Sequence, residues 1–267
     1  MQIMEYHIIS GTVIETRRSY MAMRPRKRRG TRVAGASSQK KILANERETI
    51  RRLARILNCN FSTGLLWVTL KYSNGRLPAD YAAAQTVLEK FMRKLRAEPG
   101  CLAYVSVTAN WSPKHDRPAR LHHHIALPVD LSLDALRRLW PEGEIYIETV
   151  SRPGDLTGLA AYMLANVRNV AAGKKKYSCS KGLKKPVYTE PRPVDEIEGV
   201  QALPETWVVD GETSRDDEGR VIGSYIRAVA QEPPKVRGSM VILPKRKNRK
   251  QSFGDGESLA QIRRADD

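Results

Sequence analysis

Apolar positions recur along the chain with two different periods, and the period assigns most of the elements. Ile50, Leu53, Ala54 and Leu57 fall at helical intervals, with Arg47, Arg51, Arg52 and Arg55 on other faces, so a helix is predicted over 42–57. Leu65 to Tyr72 is a β-branched and aromatic run that reads as a buried strand, closed by the turn Ser73-Asn74-Gly75. Ala84, Leu88, Phe91 and Leu95 make one stripe of a helix over 78–97, which Pro99-Gly100 stops. Strands over 101–110 and 121–128 follow, joined by a polar, proline-containing link. A short helix over 131–140 has Ser132 at its N-cap position, and Pro141-Glu142-Gly143 turns the chain into a strand over 144–150. A last helix over 155–168 starts at Asp155 and carries the stripe Leu156, Leu159, Ala160, Met163, Leu164 and Val167. At 100° per residue Tyr162 lies about 130° from the centre of that stripe, so it faces something other than the core.

The order strand, helix, strand, strand, helix, strand, then one more helix is the split βαβ pattern: an α+β fold in which an antiparallel sheet is backed by helices. It places the core in residues 42–170, inside a domain of 42–190. Residues 1–41 combine a strand-like piece, Tyr6-His7-Ile8-Ile9, with crowded arginines, glycines and serines, and are expected to form a basic, flexible arm. An accessory hairpin is predicted within 191–230, from 206–209 and 221–228. The basic segment 231–267, with Lys245, Arg246, Lys247, Arg249 and Lys250, has little periodic apolar signal and is expected to be disordered.

Within the 121–128 strand three histidines stand in a row, His122, His123 and His124. Side chains alternate along a strand, so His122 and His124 share one face, their Cα atoms about 7 Å apart, and His123 takes the other. Two imidazoles on one pleat can close on one metal ion.

Charge changes the picture next. Lys and Arg number 46 against 29 Asp and Glu, a net charge of +17, which points to a polyanionic partner, nucleic acid above all. Cys59, Cys101 and Cys179 are odd in number and widely spaced, which argues against a disulfide framework or a cysteine zinc site and for a reducing compartment. No apolar run has the length of a membrane span and no secretion signal opens the chain, so the expected location is the cytoplasm. Paired histidines, an off-stripe tyrosine and a basic surface are the parts of a metal-assisted phosphodiester cleavage with a tyrosine nucleophile. A divalent ion on the scissile phosphate would offset the weakness of a phenol whose ordinary pKa is about 10.

These residues carry a resemblance. The apolar-flanked His122-His123-His124 is similar to the His-x-His of HUH endonucleases, and the likeness is nearest to the replication-associated proteins of small circular phage and plasmid elements. It extends over about 42–186, in order: Asn45 and Asn60-Phe61; Trp67-Val68-Thr69-Leu70-Lys71-Tyr72; the histidines; Trp140 with Gly143; Leu159-Ala160-Ala161-Tyr162; and Ser180, Leu183 and Pro186. The resemblance implies a site-specific single-strand DNA endonuclease and strand transferase that initiates rolling-circle replication through a 5′-phosphotyrosine. It implies Tyr162 as nucleophile and His122 and His124 as ligands of Mn²⁺ or Mg²⁺. Thr69, Lys71, Tyr72, Arg120, Lys174, Lys175 and Lys176 are the expected DNA contacts, with a host helicase of the bacterial cell as a further partner. Two departures stand out. Relatives place an acidic residue at the end of the preceding strand, where this chain has Asn110, the expected third ligand, with His115 as a looser candidate. Asn166 stands where relatives often carry a lysine, a task that could pass to Lys174–Lys176. A relaxase or single-strand transposase would use the same chemistry, and a non-catalytic DNA-binding relative would keep only the fold and charge. A basic structural protein with a histidine zinc staple is a further alternative.

Overall fold

Period-two runs pair as strands and period-3.6 stripes coil as helices in the computed structural model, which describes residues 1–21, 39–100, 103–151, 154–168 and 175–244. In chain order the elements are β1 (Gln2–Ser10), β2 (Val13–Met21), α1 (Gln39–Phe61), β3 (Gly64–Lys71), α2 (Tyr81–Leu95), β4 (Val105–Ser112) and β5 (Arg117–Leu127). Then come α3 (Leu133–Leu139), β6 (Ile145–Ser151), α4 (Thr157–Ala165), β7 (Ser178–Cys179), β8 (Val187–Tyr188) and β9 (Arg192–Pro193). The chain ends its described part with β10 (Thr206–Arg215), β11 (Val221–Ala230), β12 (Lys235–Arg237) and β13 (Met240–Ile242). The fold is α+β with antiparallel sheets. It divides into two units whose boundary falls inside α1, between Cys59 and Asn60, and again between Lys184 and Lys185.

In the first unit the strand order is β10-β11-β2-β1-β8, with β9 also on β1. Residues 2–21, expected within a flexible arm, are two paired strands instead, because Ile8, Ile9, Val13 and Ile14 are buried. The charges among them are neutralised in pairs. Arg55 of α1 donates two 2.7 Å bonds to the buried Glu15 carboxylate, and Arg18 and Arg192 both donate to Glu5. A buried ion pair of this kind does little for net stability, but losing one partner costs about 3–5 kcal/mol. The predicted hairpin exists as β10–β11 and is longer than expected. It is joined to β2 rather than set apart. Part of the expected tail, 235–242, forms the hairpin β12–β13, while 22–38 and 245–267 lie outside the described residues.

The second unit holds the split βαβ order β3-α2-β4-β5-α3-β6, and its sheet runs β6-β3-β5-β4-β7 with every pair antiparallel. Alternation divides the sheet into two faces. Leu66, Val68, Leu70, Ile125 and Leu127 pack with Leu88, Phe91, Met92 and Leu95 of α2, Leu136 of α3, and Trp140 into one core. The other face, with Trp67, is covered by α4. Ser132 caps α3 as expected, accepting from the Ala135 N–H at 3.3 Å, and Asp155 accepts from the Thr157 N–H and hydroxyl at the start of α4.

Trp140 and Gly143 hold the end of β3. The Trp140 indole N–H donates to the Lys71 carbonyl at 3.1 Å, and the main chain at Gly143 passes so close that a Cβ there would lie 2.3 Å from the same oxygen and 2.5 Å from the Ser73 nitrogen. Backbone atoms cannot yield as a flexible side chain would. Gly143→Ala is therefore expected to destabilise the protein by about 1–3 kcal/mol, read as a lowered urea midpoint. An unchanged midpoint would show that the turn relaxes freely.

Candidate active site

Register, not proximity in sequence, assembles the site. β3 and β5 pair with Lys71 opposite His122, Leu70 opposite His123 and Thr69 opposite His124. Directly opposed residues share a face, so Trp67, Thr69 and Lys71 stand with His122 and His124, and His123 goes to the core side. On β4, Ala109 is opposite His122 and Val107 opposite His124. On β6, Tyr146 and Glu148 complete the face, two strands from the histidines.

The two site imidazoles converge. His122 Nε2 and His124 Nε2 are 3.1 Å apart. That separation is short enough for both nitrogens to bind one ion. Each ring is held by its other nitrogen. His122 Nδ1 donates to the Arg120 carbonyl at 2.8 Å, since a carbonyl can only accept, and this leaves the lone pair on Nε2. His124 Nδ1 lies 3.1 Å from the Thr69 hydroxyl, and its ring stacks on Trp67 with centroids 5.0 Å apart. Such outer contacts fix tautomer and orientation in metal sites. His124 is fully buried, and burial followed by the nearby His122 holds its pKa well below the ordinary imidazole value. It is neutral at neutral pH, the form that binds metal.

The Arg120 carbonyl reaches His122 because the β4–β5 pairing is irregular. Two steps on β4, from Ala109 to Trp111, span four on β5, from His122 to Pro118. Irregularities of this kind re-aim groups beside sites, and nothing in the residue pattern announces one here.

Tyr162 arrives from α4. Its ring lies 5.5 Å from that of His124 and 6.1 Å from that of Trp67, and its hydroxyl is buried without a hydrogen-bond partner. Leaving a buried phenol oxygen unpaired costs about 1–3 kcal/mol.

Several expected site residues are elsewhere. Tyr72 has the wrong parity: one residue past Lys71, it turns into the opposite core, 5 % exposed, where its hydroxyl meets His123 Nε2 at 2.6 Å. It is unavailable to stack on DNA. Asn110 is not turned toward the histidines as a third ligand. Its amide donates to the Arg168 carbonyl at 2.7 Å and accepts from the Arg168 N–H at 2.9 Å, tying β4 to the chain beyond α4. Asn166, expected on the Tyr162 flank, turns back to donate to the Tyr162 carbonyl at 2.8 Å. Its own carbonyl accepts from the Asn110 and Trp111 N–H groups. Arg120 spends its guanidinium on the Tyr72 carbonyl and the Asn74 side chain. His115 is in the exposed turn between β4 and β5. Lys175 and Lys176 precede β7 at the sheet edge, and Lys174 lies outside the described residues.

Among the described residues no three His, Cys, Asp or Glu side chains gather as a metal cluster. The donor set is thus two imidazole nitrogens with one open side, since His122 is only half-buried. Two nitrogen donors would suit Mn²⁺ better than Mg²⁺, which favours oxygen ligands. No known family, curated protein or solved structure matches the chain.

His123 is the odd member of the trio. It is fully buried, held by Thr108 at 3.0 Å and Tyr72, and burial pushes its pKa down to about 3. The unfolded chain takes up a proton below about pH 6.5 and the native His123 does not, so stability is full above that pH and falls toward pH 3. The slope is up to about 1.4 kcal/mol per pH unit. Urea midpoints between pH 7 and 5 are expected to fall more steeply for the wild type than for His123→Leu. Parallel slopes would contradict a neutral buried His123.

Proposed function

We propose that the second unit is an HUH-type endonuclease domain that nicks one strand of DNA and holds the 5′ end on Tyr162, as in the initiation of rolling-circle replication. The observation that carries this reading is the 3.1 Å convergence of His122 and His124, with the Tyr162 ring 5.5 Å from that of His124 and its hydroxyl unpartnered. The net charge of +17 supports a DNA substrate.

In the proposed reaction Tyr162 Oη attacks phosphorus. The new O–P bond forms as the P–O3′ bond breaks, the phenolic proton is lost, and the leaving 3′ oxygen ends protonated as a hydroxyl. A divalent ion held by His122 and His124 supplies Lewis-acid polarisation of the phosphate. Thr69 and the Arg120 carbonyl orient the two imidazoles. Lys71, opposite His122 on the same face, supplies positive charge toward the strand. Trp67 and α4 keep water from the buried side of the tyrosine. The phosphotyrosine ester conserves the bond, so a free 3′-hydroxyl can reverse it.

Ala109, facing His122 where a carboxylate would complete a metal site, favours a second reading: a DNA-binding relative that no longer cuts. Single-stranded oligonucleotides spanning the origin, incubated with Mn²⁺ or with EDTA and run on a denaturing gel, separate the two. A Mn²⁺-dependent adduct mapping to Tyr162 is the expected result. Tight, salt-sensitive binding with no adduct would establish the second reading. Tyr162→Phe is expected to abolish the adduct while DNA affinity stays within roughly twofold, because its hydroxyl bonds to nothing in the fold. A parallel fall in affinity would make Tyr162 a packing residue. Thr69→Val is expected to raise the Mn²⁺ needed for adduct formation by about 10–100-fold, with EDTA-treated binding unchanged. An unaltered Mn²⁺ titration would remove Thr69 from the site.

A further inference from the structure

On the sheet face opposite the histidines, α2 and the β4–β7 edge enclose a cavity of about 240 Å³. Its wall on the helix is a single stripe at intervals of three and four residues, Leu88, Met92, Arg93 and Arg96 among them, and its wall on the sheet is Tyr104 and Ser106. Leu88, Met92 and Tyr104 are buried and give an apolar, partly aromatic floor. Ser106 is 1 % exposed, and its hydroxyl has no hydrogen-bond partner. A buried hydroxyl lining a cavity without a partner is a polar group waiting for a ligand atom. At the mouth stand the exposed Arg93 and Arg96 against one carboxylate, Glu89, so the rim is net positive. The tyrosine wall is fixed from behind: the Tyr104 N–H donates to the Ser180 hydroxyl, and the Ser180 N–H donates to the Tyr104 carbonyl, both at 3.1 Å.

We propose that this cavity is a nucleotide pocket, separate from the cleavage site, that takes one base with its phosphate. The volume lies below the 300–1,000 Å³ common for drug-sized ligands and suits a single ring system. The apolar floor and Tyr104 accept the flat face of a base, and the Ser106 hydroxyl, able to donate or accept, bonds its edge. Arg93 and Arg96 hold the phosphate. The nucleotide can belong to a DNA strand or be free in solution. The pocket rests on the DNA reading above for its strand-bound form, and gives the protein a second grip on DNA on the far face of the sheet from Tyr162.

The test uses the full chain and a short labelled single-stranded oligonucleotide, with binding measured over a range of salt. Arg93→Ala/Arg96→Ala is expected to weaken binding about tenfold and to lower the log–log salt slope by about 1–2. Ser106→Ala is expected to weaken binding about threefold with the salt slope unchanged, because a base contact releases no counterions. Its melting temperature should not drop, because the hydroxyl it removes is unpaired. Both variants should still form the Tyr162 adduct at saturating oligonucleotide. Competition by deoxynucleoside monophosphates would assign the pocket to free nucleotide, and competition by oligonucleotides alone would assign it to the strand. Unchanged affinity in Ser106→Ala overturns the base pocket even if the arginine variant weakens binding, since the arginines would then be general surface charge. Failure of the wild type to bind any oligonucleotide would strike the DNA reading itself, and monophosphate binding would still test the pocket.

Discussion

The pairing register of β3 with β5 is the constraint on which the second unit depends. Six residue pairs, Leu66 with Leu127 through Lys71 with His122, set it. A slip of one residue would turn His122 and His124 toward α2 and bring His123 to the face covered by α4. The slip is prevented by burial on the other face. Leu66, Val68, Leu70, Ile125 and Leu127 are nearly inaccessible, and a slip would take them out of their packing against α2 and α3. The apolar core therefore orients the polar site through a sheet only one residue thick, and the chemistry of one face is specified by the packing of the other.

Much of this was legible in the residue pattern. The βαββαβ order, the shared face of His122 and His124 and the off-stripe place of Tyr162 all follow from periodicity, which backbone geometry enforces directly. Tyr72 was misplaced for a reason that periodicity itself supplies. It adjoins Thr69 and Lys71 in one stretch but sits one residue out of phase with them. Asn110, Asn166 and Arg120 are a different matter. Whether an amide or a guanidinium binds a ligand or a neighbouring main chain depends on distances across 50 residues or so of sequence, and residue type alone carries no such information. The paired strands at 2–21 are masked in the sequence by the arginines that crowd the segment after them. Their charge is satisfied by partners as distant as Arg55 and Arg192.

The residues that carry the proposed resemblance divide into two trades. His122, His124 and Tyr162 face the site, while Asn60, Trp140, Gly143 and Ser180 make backbone contacts that hold strand ends and edges. Asn60 pairs both atoms of its amide with the main chain of Lys184. A recurring spacing can thus reflect a fold's joints as much as its chemistry.

The two imidazoles differ in how their orientation is inherited. His122 is steered by a peptide carbonyl, which every amino acid at position 120 would provide so long as the strand keeps its local bend. His124 is steered by a hydroxyl that belongs to one side chain, Thr69, and is lost with a single codon change to most alternatives. Sequence drift can therefore loosen one half of the pair while leaving the other in place. A designer wishing to retune the pair of imidazoles has in position 69 an adjustable screw that position 120 does not offer.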